Sequence, residues 1–321
     1  MSNSKGLLNL LVSKKNNLVN LQHYAVRGKF GEKRSNGCHM KGVDDMSDKM
    51  VSIIMGVYNC EPFVSNCIDS VINQTYKNWE FIICDDCSTD NTWEILKRYQ
   101  AMDSRIKLIK NERNSKLAAS LNQCLEICHG EYVARMDADD ICLQNRLQVQ
   151  VDFLNNHREY AVVATAANVF DGEQITSVRR MKEIPSKEDV IFGPTFMHPT
   201  IMMRKEVYDE LDGYTVAQRT ERGQDWDLWF RFFAKGYKGY NLQEPYIQYH
   251  ESKKDLKKRT MKTAKMYFRT ALFGYRLIRV PFYKYIYAIK PIVAVLIPQI
   301  LINKTMRNYR WRFYGKFSNL S

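Results

Sequence analysis

The rhythm of hydrophobic and polar positions changes at residue 50. Before it, residues 1–49 show weak periodicity, several Lys and Arg, and a Gly/Ser-containing middle, which predicts an extension outside the main fold. From residue 50 onward, short apolar runs alternate with stretches of helical spacing. Residues 50–57 predict a buried strand ended by Tyr58-Asn59, and residues 63–74 place Val64, Cys67, Ile68, Val71 and Ile72 on one helical face. A second strand is predicted over 79–84, and Asn91 with Glu94 suggests a capping box for a helix ending near 102. A third strand follows at 106–110, a helix over 116–128 with Gly130 as its C-terminal glycine, and a fourth strand over 132–136. Strands alternating with helices predict an α/β fold, Rossmann-like, with a mostly parallel sheet flanked by helices. Later, 161–170 reads as a strand, Asp171-Gly172 as a turn and 198–203 as a short strand. A helix from Gly223-Gln224-Asp225 carries Trp226, Trp229 and Phe233 on one side and is closed by Gly236.

The chemistry sits where the predicted strands end. The fourth strand runs into Asp137-Ala138-Asp139-Asp140, and ligands in open α/β sheets bind beyond the carboxyl ends of the strands. Carboxylates packed this closely call for a cation or a basic partner, and hard divalent ions take oxygen ligands together with substrate phosphates. A solvated acidic loop would carry the same residues. Tyr58-Asn59 and Asp85-Asp86 end the first two strands, as groups suited to a base and a ribose, or as a core aromatic and loop caps. There is no G-x-G-x-x-G after the first strand and no G-x-x-x-x-G-K-[ST] anywhere, which argues against a dinucleotide dehydrogenase or a P-loop enzyme. Asp225 lies in a first helical turn, where the macrodipole favours a carboxylate whatever its task. His198 and His250 read equally as structural or as site residues.

Charge changes the picture at the C-terminal end. The formal net charge is +13, yet residues 251–321 hold 17 Lys/Arg against 2 acids, so the body is slightly acidic. Such a tail predicts a polyanionic partner, an anionic membrane surface before nucleic acid. Residues 253–269 predict a basic helix. Residues 280–303 are apolar and aromatic but interrupted by Lys290-Pro291 and Pro298, so they suit an interface, or packing on the domain, better than a span. The early stretch Leu7-Leu8-Asn9-Leu10-Leu11-Val12 is too short for a secretory signal, and the eight cysteines are expected as thiols. This predicts a cytoplasmic protein, peripheral on the inner membrane face. Cys84-Asp85-Asp86-Cys87 has C-x-x-C spacing without a second pair for a zinc site.

Five stretches in order carry a resemblance. They are Val51-Ser52-Ile53-Ile54-Met55-Gly56-Val57-Tyr58-Asn59, Ser70 to Tyr76, Glu80 to Asp90, Asn114 to Asn122, and Gly130 to Asp140 with Arg146-Leu147. Gly223-Gln224-Asp225-Trp226-Asp227-Leu228-Trp229 extends them to about residue 250. The chain resembles the family 2, GT-A-fold glycosyltransferases of bacterial surface-polysaccharide synthesis. The resemblance implies an N-terminal extension at 1–49, a GT-A catalytic domain at 50–250 and a basic C-terminal region at 251–321. It implies an inverting transferase using a nucleotide-diphosphate sugar, a UDP-sugar foremost, and a glycan or lipid-linked acceptor, with Mn²⁺ or Mg²⁺ as cofactor. Tyr58, Asn59, Asp85 and Asp86 would then contact the nucleotide, and Asp137 the ribose and metal. Asp139 would hold the metal directly, His250 would lie near the diphosphate, and Asp225 would be the catalytic base. Two departures stand out: Cys87 where the family commonly has Gly, and Gln224 where it has Glu. A metal-dependent nucleotidyltransferase, or a non-catalytic glycan- or membrane-binding relative, are the alternatives.

Overall fold

The computed structural model describes residues 49–251 and 260–296. The predicted extension, and the tail beyond 296, lie outside the described residues. The first half follows the expected alternation. Strand β1 (Val51–Val57) leads to α1 (Val64–Ile72), β2 (Trp79–Asp85) to α2 (Thr92–Met102), and β3 (Ile106–Lys110) to α3 (Leu117–Glu126) before β4 (Tyr132–Arg135). These four strands are parallel in the order β3-β2-β1-β4. Both faces of β1 are covered. Ile53, Met55 and Val57 pack with α1 and α2, whereas Ile54 packs with α3. That two-sided burial is why the strand reads as an unbroken apolar run.

The second half is mixed. After β5 (Ile141–Cys142) and α4 (Arg146–Asn156) come β6 (Val162–Phe170), β7 (Ile175–Arg179), β8 (Met202–Arg204), α5 (Lys205–Glu210), α6 (Gln224–Ala234) and β9 (Gly239–His250). β8 pairs antiparallel with β4 and β6, and β9 runs parallel to β6. The register of β6 and β9 shifts around Ala166, opposite Pro245. A proline inside a strand is tolerated at such a bulge, because no ladder donor is needed there. Beyond the bulge, β9 pairs with β5, placing Gln248 opposite Ile141 and carrying His250 alongside the acids that end β4.

Four local expectations are corrected. The 198–203 strand divides into a 3₁₀ turn, His198–Thr200, and then β8, because Pro199 sits at the first turn with its φ already set for one. Asn91 makes no side-chain cap. Asp90 accepts from the Thr92 amide at 3.0 Å instead, while the Asn91 amide group is drawn to Glu61. Gly130 is not a helix-terminating left-handed glycine. A Cβ there would lie 2.6 Å from both the Met50 carbonyl oxygen and the Ser52 amide nitrogen, so close backbone approach demands the glycine. The basic tail helix, α7 (Met261–Leu277), begins at a Thr260 cap, later than the spacing suggested, and residues 252–259 lie outside the described residues.

Helix α7 packs on the body that carries the sheet. Its Ala271 and Tyr275 share a core with Trp226, Trp229 and Phe230 of α6. A 3₁₀ helix at Phe282–Ile289 follows, then α8 (Lys290–Leu296), with Pro291 near its start where a missing N–H costs nothing. Among the described residues no helix is long and apolar enough to cross a membrane.

Candidate active site

Three strand ends build one side of the site. At the end of β1, Tyr58 is exposed, and Asn59 adopts φ 52° while its Oδ1 accepts from the Thr89 amide at 2.8 Å. The β1 and β2 loops are thereby tied together. Asp85 is fully buried; one carboxylate oxygen accepts from the Ser88 amide at 3.1 Å, and the other meets no donor among the described residues. Asp86 is occupied differently. Its oxygens accept from the Ser115 amide at 2.7 Å, the Lys116 amide at 2.9 Å and Asn111 Nδ2 at 2.7 Å. Asp86 thus holds the loop entering α3, where Lys116 takes a left-handed φ of 73°. Cys87 also stands at a left-handed φ, 63°, which a glycine would adopt without its steric cost.

The acids after β4 separate into distinct roles by burial. Asp137 is partly exposed, and the fully buried Arg135 ion-pairs with it from two residues away. Asp139 is about half exposed; its Oδ2 lies 3.5 Å from His250 Nδ1. Partial loss of water, then the charge of Asp137, push the Asp139 carboxyl above the usual range. Asp140 is buried and faces backward, accepting from the His250 amide at 2.9 Å. Burial pushes its carboxyl well up, with Asp137 and Asp139 adding to the shift. Asp140 therefore locks β9 to the acidic turn, and this places His250 beside Asp139.

These residues fit a hard divalent cation. Donors bound side by side to one Mg²⁺-sized ion, about 2.1 Å from it, lie roughly 3 Å apart, near the Asp139–His250 spacing. Among the described residues no group of three or more His, Cys, Asp or Glu forms a ready-made cage.

Asp225 stands in the first turn of α6. Gly223, at φ 97°, turns the chain into α6, and a Cβ there would press on the Tyr267 ring of α7 at 2.9 Å. Asp225 Oδ1 accepts from the Trp226 amide at 2.8 Å. Its carboxyl is raised above the ordinary value, chiefly by burial, with Asp137 raising it further and Arg135 opposing. The charge of Asp137 reaches Asp225, so the acidic turn lies within electrostatic range of the first turn of α6.

Comparison with known proteins shows the family and the fold. Residues 52–212 match the profile of Glycosyl transferase family 2. EpsE of Bacillus subtilis, a protein named as a glycosyltransferase, is 43% identical over 80% of this chain and 93% of its own. The chain belongs to glycosyl transferase family 2. The Escherichia coli UDP-Glc:α-D-GlcNAc-diphosphoundecaprenol β-1,3-glucosyltransferase WfaP is 31% identical over 63% of this chain and 78% of its own. In fold, this family 2 glycosyltransferase is similar to Staphylococcus aureus TarS 1–349 solved with UDP. The TM-score is 0.58 at 17% identity, covering 84% of this chain and 76% of that one. That likeness makes the fold GT-A.

Sequence reasoning missed the buried cations behind the site. Arg146 Nη2 donates to the Arg135 carbonyl at 2.8 Å and to the Pro199 carbonyl at 3.0 Å, tying β4 to the turn before β8. Arg135 itself was passed over as a strand residue, because an arginine next to acids looks like an exposed partner until the fold buries it. His198 is buried, its Nε2 2.8 Å from the Tyr214 hydroxyl. Loss of solvation pushes its pKa well down.

Proposed function

We propose that this glycosyltransferase moves a sugar with inversion from a nucleotide-diphosphate sugar, in the first place a UDP-sugar, to a lipid-linked or growing glycan acceptor. The observation that carries the reading is the gathering of Asp137, Asp139 and His250 at the ends of β4 and β9, within electrostatic reach of Asp225 in the first turn of α6. The β1 and β2 loops, with Tyr58, Asn59 and Asp85, would receive the nucleoside. Asp86 would act on it through the loop it holds. Asp139, with Asp137 and His250 beside it, would hold Mn²⁺ or Mg²⁺. When bound, the ion supplies neutralisation of charge building on the leaving diphosphate.

The chain's own residues do the rest. Asp225 accepts the proton of the acceptor hydroxyl as that oxygen attacks the anomeric carbon from the face opposite the diphosphate. A single base suffices for one displacement and gives inversion. Its raised pKa makes Asp225 a better proton acceptor than a solvated aspartate, and Arg135, by engaging Asp137, keeps that carboxylate oriented. Gln224 leaves Asp225 beside a neutral neighbour in place of an acid.

Identity to a relative that acts on a diphosphoundecaprenol-linked sugar, and the UDP complexes of proteins sharing the fold, support this choice of donor and acceptor class. A manganese complex in a further structure, Pyrobaculum calidifontis mannosyltransferase PcManGT with GDP-Man (TM-score 0.54), supports the ion. The basic C-terminal region would hold the enzyme on an anionic membrane, at its cytoplasmic face, where a lipid-linked acceptor resides. The deciding experiment incubates the protein with a panel of nucleotide sugars, with and without Mn²⁺, and measures released nucleoside diphosphate. Release of diphosphate from one donor, dependent on Mn²⁺, is expected. Pyrophosphate release from a nucleoside triphosphate, or no turnover of any donor, would overturn the reading.

A further inference from the structure

The segment after α7 presents its apolar side chains outward. In a 3₁₀ helix side chains three apart line up in a row. Over Phe282–Ile289 one row, Tyr285 and Ala288, turns toward the core. The row Tyr283, Ile286 and Ile289 turns to solvent, where Ile286 is 64% exposed. Phe282 begins the other row beside Tyr285 but, at the helix start, is itself 88% exposed, and Val293 and Leu296 extend the apolar surface along α8. Large apolar side chains clustered in this way mark an interaction surface.

Charge identifies its occupant. No acidic residue follows Asp255, while 15 Lys and Arg do. Along α7, Lys262, Lys265, Arg269 and Arg276 fall on one exposed stripe. The chain beyond 296 continues with Lys304, Arg307, Arg310, Arg312 and Lys316 among Tyr309, Trp311 and Phe313. A second copy of the chain would bring the same positive charge against itself. Nucleic acid would leave Ile286, Ile289 and Leu296 without an apolar partner. Aliphatic side chains flanked by aromatic rings and cations match the boundary between acyl chains and anionic headgroups.

We infer that Phe282, Tyr283, Ile286, Ile289 and Leu296 insert into the acyl boundary of an anionic membrane, so that attachment is apolar insertion and not headgroup adsorption alone. This rests on the membrane attachment proposed above and names the element that makes it. The same element is fastened to the wall bearing the base. The Tyr287 ring lies 4.9 Å from Phe192, the Tyr275 hydroxyl donates to the Ile191 carbonyl at 2.7 Å, and Trp226 Nε1 donates to the Val190 carbonyl at 2.7 Å. Through the short Asp189–Phe192 turn, the inserted row fixes the position of Asp225 relative to the bilayer.

The test is sedimentation of the full chain with vesicles of equal phosphatidylglycerol and phosphatidylcholine at 0.15 M NaCl. A double variant, Phe282→Ser with Ile286→Ser, alters two exposed side chains and removes no buried one, Phe282 meeting only the outer ring of Tyr285 at 5.7 Å. Its partition coefficient should fall at least tenfold, while turnover of a water-soluble acceptor stays at the wild-type level. Asp225→Asn should bind vesicles as the wild type does, which separates loss of attachment from loss of chemistry. Unchanged partition of the double variant would overturn the inference in favour of adsorption by the basic residues. A concentration-dependent dimer, abolished by the same two substitutions in sedimentation velocity without vesicles, would overturn it in favour of self-association.

Discussion

Asp225 and Asp227 stand two residues apart in the first turn of α6, and only Asp227 is gripped by cations. Asp227 is fully buried between Arg219 and Arg231, and accepts from the Thr215 hydroxyl at 2.6 Å. Arg231 in turn donates to the Gly213 carbonyl at 2.8 Å. Asp225 receives the Trp226 amide and makes no salt bridge among the described residues. One carboxylate is committed to the fold; the other is the one proposed above as the base.

Asp225→Asn should remove the proton acceptor while keeping the shape. Positioned proton transfer is typically worth about 10² to 10⁴ in rate, so kcat should fall by at least that, with KM for the donor nearly unchanged. Steady-state kinetics on the donor found in the panel test this, and a variant with wild-type kcat would remove Asp225 from the mechanism.

The same substitution should stabilise the protein near neutral pH. The folded-state pKa of Asp225 is raised above its unfolded value of 3.8, so the native state favours the protonated form. The stability this contributes is fully present below the unfolded pKa and is lost as pH rises through the folded one. Asn, neutral throughout, avoids that loss. The Tm difference between variant and wild type should be positive at pH 7.5 and vanish toward pH 3.5. For catalysis the sign reverses: kcat should drop on the acid side, with an apparent pKa above that of a free aspartate.

Asp227→Asn should behave oppositely. It leaves Arg219 and Arg231 facing a neutral group, and breaking a buried ion pair costs about 3–5 kcal/mol. Side-chain exposures of 20% and 17% for the two arginines place the loss toward the lower end. Urea denaturation gives the value. A stability equal to wild type would mean that the ion triad holds nothing in place.

Asp139→Asn should abolish Mn²⁺-dependent donor binding, not only turnover. Calorimetric titration of UDP with and without Mn²⁺ separates the two. In the wild type the metal should tighten UDP, and in the variant that enhancement should disappear. His250→Asn should show a smaller loss in the same titration, because its Nδ1 only flanks the Asp139 carboxylate.

Asp86→Asn should act on the loop before α3. It disturbs three donors that all converge on this carboxylate, the amides of Ser115 and Lys116 and the Asn111 side chain. A buried donor left without a good acceptor costs about 1–3 kcal/mol. The loss should appear in denaturation and, through loosening of the nucleotide side, in KM for the donor. Unchanged stability would show that the loop is held without it.

Much of this protein was legible in its sequence wherever local rules govern. Unbroken apolar runs such as Ile53-Ile54-Met55 announce strands buried on both faces, and the helical spacing of Val64, Cys67, Ile68 and Val71 announces the helix covering them. The alternation of the two fixes a parallel sheet, and that sheet fixes where Asp85, Asp86 and the acids from Asp137 must emerge. What the sequence could not decide depends on partners distant along the chain. Gly130 looked like a helix cap until Met50 and Ser52 closed on it. Asp86 and Asp140 stand in the sequence simply as strand-end acids, and only the fold shows that they accept from backbone amides of residues 115–116 and 250. His250 is brought to Asp139 only by the pairing of β9 with β5, across more than a hundred residues. Carboxylates are written identically in a sequence, and their work is set by which amide, cation or solvent reaches them once the chain has folded.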